Sequence, residues 1–90
     1  MTFEWDDRKS IANLKKHGVS FSEARTIFGD LLSITVAESD HSDTEQRFVD
    51  IGMSEKGRVL VISYTERRAS IRIISARCAL PVERNSYEEH

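Results

Sequence analysis

Residues 47–77 read RFVDIGMSEKGRVLVISYTERRASIRIISAR, three strand-like runs separated by two tight turns. RFVDIGMS (47–54) alternates, with Val49, Ile51 and Met53 sharing one face. Glu55-Lys56-Gly57 then sets its glycine late in a hairpin turn. VLVISYTE (59–66) is nearly all apolar, which suits the centre of a sheet. Arg67-Arg68-Ala69 makes the next turn, and SIRIISAR (70–77) returns as a strand. Strands joined by such short turns pair antiparallel. The arginines therefore ride on a rigid scaffold. From Arg58 to Arg77 there are five arginines against one acid, Glu66, a local charge of +4 in a chain whose net charge is −2. Arginine's planar fork of donors matches phosphate oxygens. A basic, strand-borne cluster on an acidic protein indicates a local site for a phosphate-bearing partner. It does not indicate general coating of nucleic acid.

Upstream, Phe3 and Trp5 alternate with polar neighbours as in a short first strand. Asp6 or Asp7 can cap a helix from about Arg8 to His17, with Ile11 and Leu14 on one face and Gly18 as its left-handed stop. Ser20 and Glu23 form an S-x-x-E capping box, and Phe21, Ala24, Ile27 and Phe28 follow at helical spacing until Gly29-Asp30. LLSITVAE (31–38) reads as a strand and ESDHSDTE (38–45) as a polar loop. Pro81 cannot continue a ladder and can open a short final helix, VERNSYEEH. The expected order is β-α-α-β-β-β-β, with two helices packed on a small antiparallel sheet in an α+β fold.

Ninety residues make one small domain, spanning 1–90, whose limited core would gain from a partner chain. Hydrophobic content of 39% and charged content of 31% fit a folded globular chain. A single cysteine, Cys78, excludes an internal disulfide and fits a reducing compartment. The first residues lack the apolar core of a secretory signal, and no apolar run approaches the ~20 residues that span a bilayer. The expected location is the cytoplasm. There is no Cys-x-x-Cys, His-x-x-x-His or glycine-rich phosphate loop, which argues against structural zinc and nucleotide folds.

Among candidate residues, Arg72 stands out because Ile71 and Ile73 flank it, so its side chain points away from theirs. Arg72 and Arg77 are an odd number apart, so an ideal strand sets them on opposite faces; one shared site needs a bulge or a strand end between them. Otherwise the arginines are a solvated strand face. His17, at a helix C-terminus with Lys15 and Lys16, has its cationic form favoured by the helix dipole and could move protons near a phosphate. The plainer reading is a capping residue. Glu66 lies across the hairpin from Arg72, either as a general base or as an ion-pair partner. Cys78 reads as an inert or packed thiol. The acids from Glu38 to Glu45 lack EF-hand spacing and read as a solvated loop. His90 is assigned no role.

FEWDDRKSIANLKKHGVSFSEA (3–24), RFVDIG (47–52), SYTER (63–67) and IRIISAR (71–77), in this order, resemble the BrnT-type toxins of bacterial type II toxin–antitoxin systems. The resemblance implies a RelE-like fold and metal-independent RNA cleavage, with no cofactor. It implies a BrnA-like ribbon-helix-helix antitoxin as partner, and promoter DNA bound through the complex. On that reading Arg67, Arg72 and Arg77 stabilise the reacting phosphate, Lys16 and Arg68 hold RNA phosphates, and His17 and Glu66 transfer protons. Two segments depart from the pattern: the Arg67-Arg68-Ala69 turn lacks the glycine expected after the family's T-E-R, and the stretch after Arg77 differs. Where the family carries a basic stretch like K-A-T-K-K-E, this chain has Cys78-Ala79-Leu80-Pro81-Val82-Glu83, without three positive charges. The alternative is therefore a catalytically weak binding module that acts as corepressor for a DNA-binding antitoxin.

Overall fold

The computed structural model describes residues 1–41 and 45–89. Its elements are β1 (Thr2–Glu4), α1 (Asp7–His17), α2 (Phe21–Ala24) with a 3-10 turn at Arg25–Gly29, β2 (Ile34–His41), β3 (Glu45–Met53), β4 (Val59–Arg67), β5 (Ser70–Cys78) and α3 (Pro81–Glu88). The strands form one sheet in the order β1-β5-β4-β3-β2. β2 to β5 pair antiparallel in hairpin succession, whereas β1 joins as a short parallel edge on Ser70–Arg72.

Local chemistry explains the helix ends. Asp6 accepts hydrogen bonds from the Arg8 and Lys9 N–H groups at 2.8 and 3.3 Å, and Gly18 ends α1 with φ +72°, a conformation that costs a side-chain-bearing residue energy. Only half of the expected capping box forms. Ser20 Oγ accepts from the Glu23 N–H at 3.0 Å, but the Glu23 carboxylate turns inward to Arg58 and Ser54. An ion pair with a guanidinium outcompetes a bond to one backbone N–H.

Three expectations shift. The second helix is one α-turn followed by a 3-10 turn. The strand expected from Leu31 begins at Ile34, because Asp30 Oδ1 accepts from the Leu32 N–H at 3.0 Å and bends the chain, leaving Leu31 99% exposed. The polar loop expected over 38–45 is largely strand. β2 runs through His41 and β3 starts at Glu45, while residues 42–44 of that stretch lie outside the described residues, as does His90. Backbone pairing of Ser39 with Arg47 and Asp40 with Gln46 carries the ladder through a polar stretch at the sheet's edge, where side chains need not pack.

The two sheet faces differ. Leu60, Ile62, Tyr64, Ile71, Ile73 and Ala76 point toward α2 and the 3-10 turn, and pack with Val19, Phe21, Ala24 and Ile27. Tyr64 anchors this side, with Phe28 edge-on at 5.0 Å and Phe48 stacked at 5.4 Å. On the opposite face, Ile51, Val59 and Val61 pack under Tyr87 of α3. The Tyr87 hydroxyl donates to Asp30 Oδ2 at 2.6 Å; that bond pushes the phenol up to about 12 and ties α3 to the loop before β2.

Gly52 lies under the 3-10 turn, where an added Cβ would meet Ser33 Cβ at 2.9 Å and Ile27 Cβ at 3.1 Å. Gly52→Ala is therefore expected to destabilise the fold by roughly 1–3 kcal/mol through overpacking, seen as a lower urea midpoint with unchanged slope.

The apolar positions expected to seat α1, Ile11 and Leu14, are 58% and 50% exposed, and its buried residue is Asn13. β1 covers only the first three residues of β5, so the outer edge of β5 is open at Ala76. Asn13 fills it: Oδ1 accepts from the Ala76 N–H at 3.1 Å, and Nδ2 donates to the carbonyls of Ala76 and Val19, both at 2.8 Å. One amide side chain stands in for a missing strand. Asn13→Leu, with the same branching and number of side-chain heavy atoms, should leave these buried groups unpaired and destabilise by about 3 kcal/mol. Thermal unfolding would show this as a fall in Tm of more than ~10 °C; a fall of a degree or two would mean the three bonds contribute little.

Candidate functional site

α3 covers only part of its face. Along β4 the residues pointing that way run Val59, Val61, Ser63, Thr65, Arg67, and they change from apolar to polar beyond the reach of Tyr87. The uncovered part is built of cross-strand rows. Arg47 pairs with Thr65, Thr65 with Arg72 and Arg72 with Glu4, giving one row across β3, β4, β5 and β1. Val49, Ser63 and Ser75 form the next row, and Arg67 and Ser70 close the hairpin end. Residues paired in this way share a face.

A bulge settles the parity of the arginines. Ser63 pairs with Ser75 while Tyr64 pairs with Ile73, so Ile74 is an extra residue in β5. The odd spacing of Arg72 and Arg77 is thereby absorbed, and both lie on the polar face with Ser75 between them. Ile71 and Ile73 are 6% and 1% exposed on the helix side, so Arg72 does point away from its neighbours. Its ion pair with Glu4 is long, at 3.8 Å.

His17 and Lys16 reach this region from the side. With Lys9, Ala12 and Asn13 of α1 they line a hollow of about 230 Å³ whose other wall is the bulge, Ile74 and Ser75. Ser75 thus belongs both to the arginine-bearing face and to the histidine hollow. Among the described residues no three His, Cys, Asp or Glu side chains come together as a metal site.

A family model described as the ribonuclease toxin, BrnT, of type II toxin–antitoxin systems matches residues 5–83. The chain belongs to this BrnT family. Among solved structures it is similar to the Brucella abortus ribonuclease toxin BrnT, with a TM-score of 0.68 and 22% identity over 89% of this chain and 97% of that one. That likeness carries the fold, and the expected α+β architecture holds. No curated protein matches. Membership of this ribonuclease-toxin family of type II toxin–antitoxin systems implies an RNA substrate and an antitoxin partner. No helix among the described residues is long and apolar enough to cross a membrane.

The remaining expected site residues of this BrnT-family chain are spread out. Arg77 donates from both terminal nitrogens to Glu83 at 2.7 and 2.8 Å, and this fork holds the Glu83 carboxyl down at about 2. Glu83 also accepts from the Leu80 N–H at 2.8 Å, so the clasp fixes the start of α3. Glu66 is not a neighbour of Arg72. Its cross-strand partner is Ile71, on the opposite face, and it lines a separate hollow of about 190 Å³ with Met1, Arg68, Ala69, Ser70 and Ile71. Arg68 occupies the turn itself at φ +54°, so the hairpin closes in register without the glycine expected there. Arg58, the first arginine of the basic segment, is drawn into the Glu23 clasp. Cys78 is exposed rather than packed, with the Arg58 Nη1 at 3.8 Å.

Sequence reasoning passed over Arg47, Thr65, Ser63, Ser75 and Lys9. The polar phase of S-Y-T-E-R was visible as alternate residues. Arg47 belongs to this surface only once β3 pairs with β4, and no local pattern marks that register.

Proposed function

We propose that the uncovered face binds RNA and that the chain cleaves it without metal, using the 2′-hydroxyl of the substrate as nucleophile. A base takes the 2′-hydroxyl proton, the 2′-oxygen attacks phosphorus in line, and the 5′-oxygen leaves with a proton from an acid. The products are a 2′,3′-cyclic phosphate and a 5′-hydroxyl. Arg72 and Arg67 stabilise the charge on the pentacoordinate phosphate, and Lys16 and Arg68 hold flanking phosphates. His17, whose imidazole can both accept and donate a proton, serves proton transfer. Glu66 fits that role less well because it faces the other side of the sheet. Arg77 joins the site when Glu83 releases it.

The observation that carries this reading is the bulge at Ile74, which brings Arg72, Ser75 and Arg77 to one face and sets Ser75 against the His17 hollow. The test is cleavage in EDTA. Ends bearing cyclic phosphate and 5′-hydroxyl, and resistance of a 2′-O-methyl substrate, are expected; a requirement for added metal would sink the mechanism.

The partner is a BrnA-like ribbon-helix-helix antitoxin whose complex binds promoter DNA, and the working compartment is the cytoplasm. A second reading, a corepressor module with little catalysis, is favoured by the Arg77–Glu83 clasp and by the missing charges at Cys78–Val82. Normal antitoxin binding with no cleavage of free RNA, or of RNA on translating ribosomes, would select it.

A further inference from the structure

Thr65 is 3% exposed, and its Oγ1 is buried without a hydrogen-bond partner. Buried hydroxyls are nearly always paired, so an orphan in the middle of a sheet calls for a ligand. Its cross-strand neighbours are the long basic side chains of Arg47 and Arg72, one on each side. The strands bearing them lie about 10 Å apart, two strand spacings. Extended guanidinium groups can therefore converge above Thr65. The ion pair between Arg72 and Glu4, at 3.8 Å, is too long to fix that side chain as a hydrogen bond would. Arg67 continues the basic surface along β4, and Ser63 and Ser75 flank it in the next row.

We infer that Arg47, Thr65 and Arg72 form a phosphodiester-binding subsite, with the two arginines clamping the phosphate and the Thr65 hydroxyl donating to one of its oxygens. The inference rests on the RNA-cleaving reading and deepens it. Two residues outside the expected catalytic set, Arg47 and Thr65, thereby join Arg72 at the phosphate that reacts. The hydroxyl rotates freely about its C–O bond, so it can donate to an incoming oxygen without any change in the backbone.

The probe is a mixed-sequence 2′-O-methyl oligoribonucleotide, which lacks the nucleophile, with binding followed by fluorescence anisotropy across a salt titration. Arg47→Ala should weaken binding about tenfold and lower the slope of log affinity against log salt by roughly 0.7, the share of one phosphate contact on a single strand. Thr65→Val exchanges the hydroxyl for a methyl group of similar size. It should weaken binding several-fold while Tm stays level or rises, since the hydroxyl is unpaired in the free protein. Arg84→Ala, an exposed arginine on α3, should change neither.

Unchanged binding by folded Arg47→Ala and Thr65→Val overturns the subsite, as does absence of binding by the wild type. If the two substitutions weaken only the antitoxin complex, the patch docks protein and the inference also falls. The two readings fail separately. Cleavage of natural RNA by the wild type, with Arg47→Ala binding normally, overturns the subsite and leaves the ribonuclease mechanism standing. Salt-dependent binding lost in Arg47→Ala, with no metal-free cleavage by the wild type, does the reverse.

Discussion

Arg72→Ala is expected to lower metal-free RNA cleavage by about two orders of magnitude while the protein stays folded. A preorganised donor aimed at developing charge supplies roughly 3 kcal/mol of barrier, about a hundredfold in rate. Arg72 is well placed for that role. Its backbone is fixed by partners on both sides, β4 and β1, and its flanking isoleucines are locked in the helix-side core. Its contribution to the fold is small. The pair with Glu4 is partly exposed and long, worth well under ~1 kcal/mol. Arg72→Lys keeps the charge and loses the fork, and should retain an intermediate rate. Circular dichroism establishes folding, and single-turnover cleavage gives the rate. A folded Arg72→Ala that cleaves like the wild type would remove Arg72 from the site.

A large effect on stability is expected at Arg58. Its Nε donates to Glu23 Oε2 at 2.9 Å, its Nη2 donates to Glu23 Oε1, and Nη2 also reaches the Gly18 carbonyl at 3.0 Å. Ser54 Oγ donates to the same carboxylate at 2.7 Å. One side chain thus joins the β3–β4 turn to α2 and to the end of α1. Glu23 is 2% exposed, so Arg58→Met strands a buried carboxylate and should destabilise by about 3 kcal/mol. Adding Glu23→Gln to Arg58→Met should recover part of the loss; a double variant no more stable than Arg58→Met would mean that the stranded charge is not the cause.

The same clasp sets a pH dependence. The bond from Arg58 holds the Glu23 carboxyl below its ordinary value of 4.5, against the upward push of burial. A carboxyl lowered by folding contributes stability that is present above its unfolded value and lost as pH falls through the folded one. Glu83, held down at about 2 by Arg77, acts in the same direction between 4.5 and about 2. In Arg58→Met, only the Ser54 hydrogen bond and the Lys56 charge remain to oppose burial, so the lowering of Glu23 is reduced. The Glu23 contribution to stability above the unfolded value then shrinks. Urea titrations at several mildly acidic pH values should show the difference between wild type and variant narrowing as pH falls. A constant difference would place the loss in packing rather than in charge.

What could be read locally was read from periodicity and stereochemistry. The nearly unbroken apolar run at 59–66 marked a central strand, and the Ile71-Arg72-Ile73 alternation marked the faces of its neighbour, since a residue's face in a strand depends only on its parity. Asp6, Gly18, Ser20 and Gly57 marked their helix ends and turn, since caps and left-handed positions depend on one or two residues. The arginine-rich hairpin and the direction of Arg72 followed from the same patterns. The polar stretch at 38–41 was misread because strand propensity is weak evidence where a neighbouring strand supplies the hydrogen bonds.

Other features depended on partners far away in the chain. Glu23 looked like a capping residue until Arg58, 35 positions later, offered a stronger bond. Asn13 gained its role from the open edge of β5 at Ala76, 63 positions away. Arg47 became a neighbour of Thr65 and Arg72 only through the β3–β4 register, and Arg77 was drawn to Glu83 only once α3 crossed the sheet. The sequence by itself determined which residues lie in strands and helices, because those choices rest on short-range sterics and spacing. The tertiary structure alone decided which charges meet, because the bulge at Ile74, the parallel docking of β1 and the placement of α3 are settled by the packing of the whole sheet.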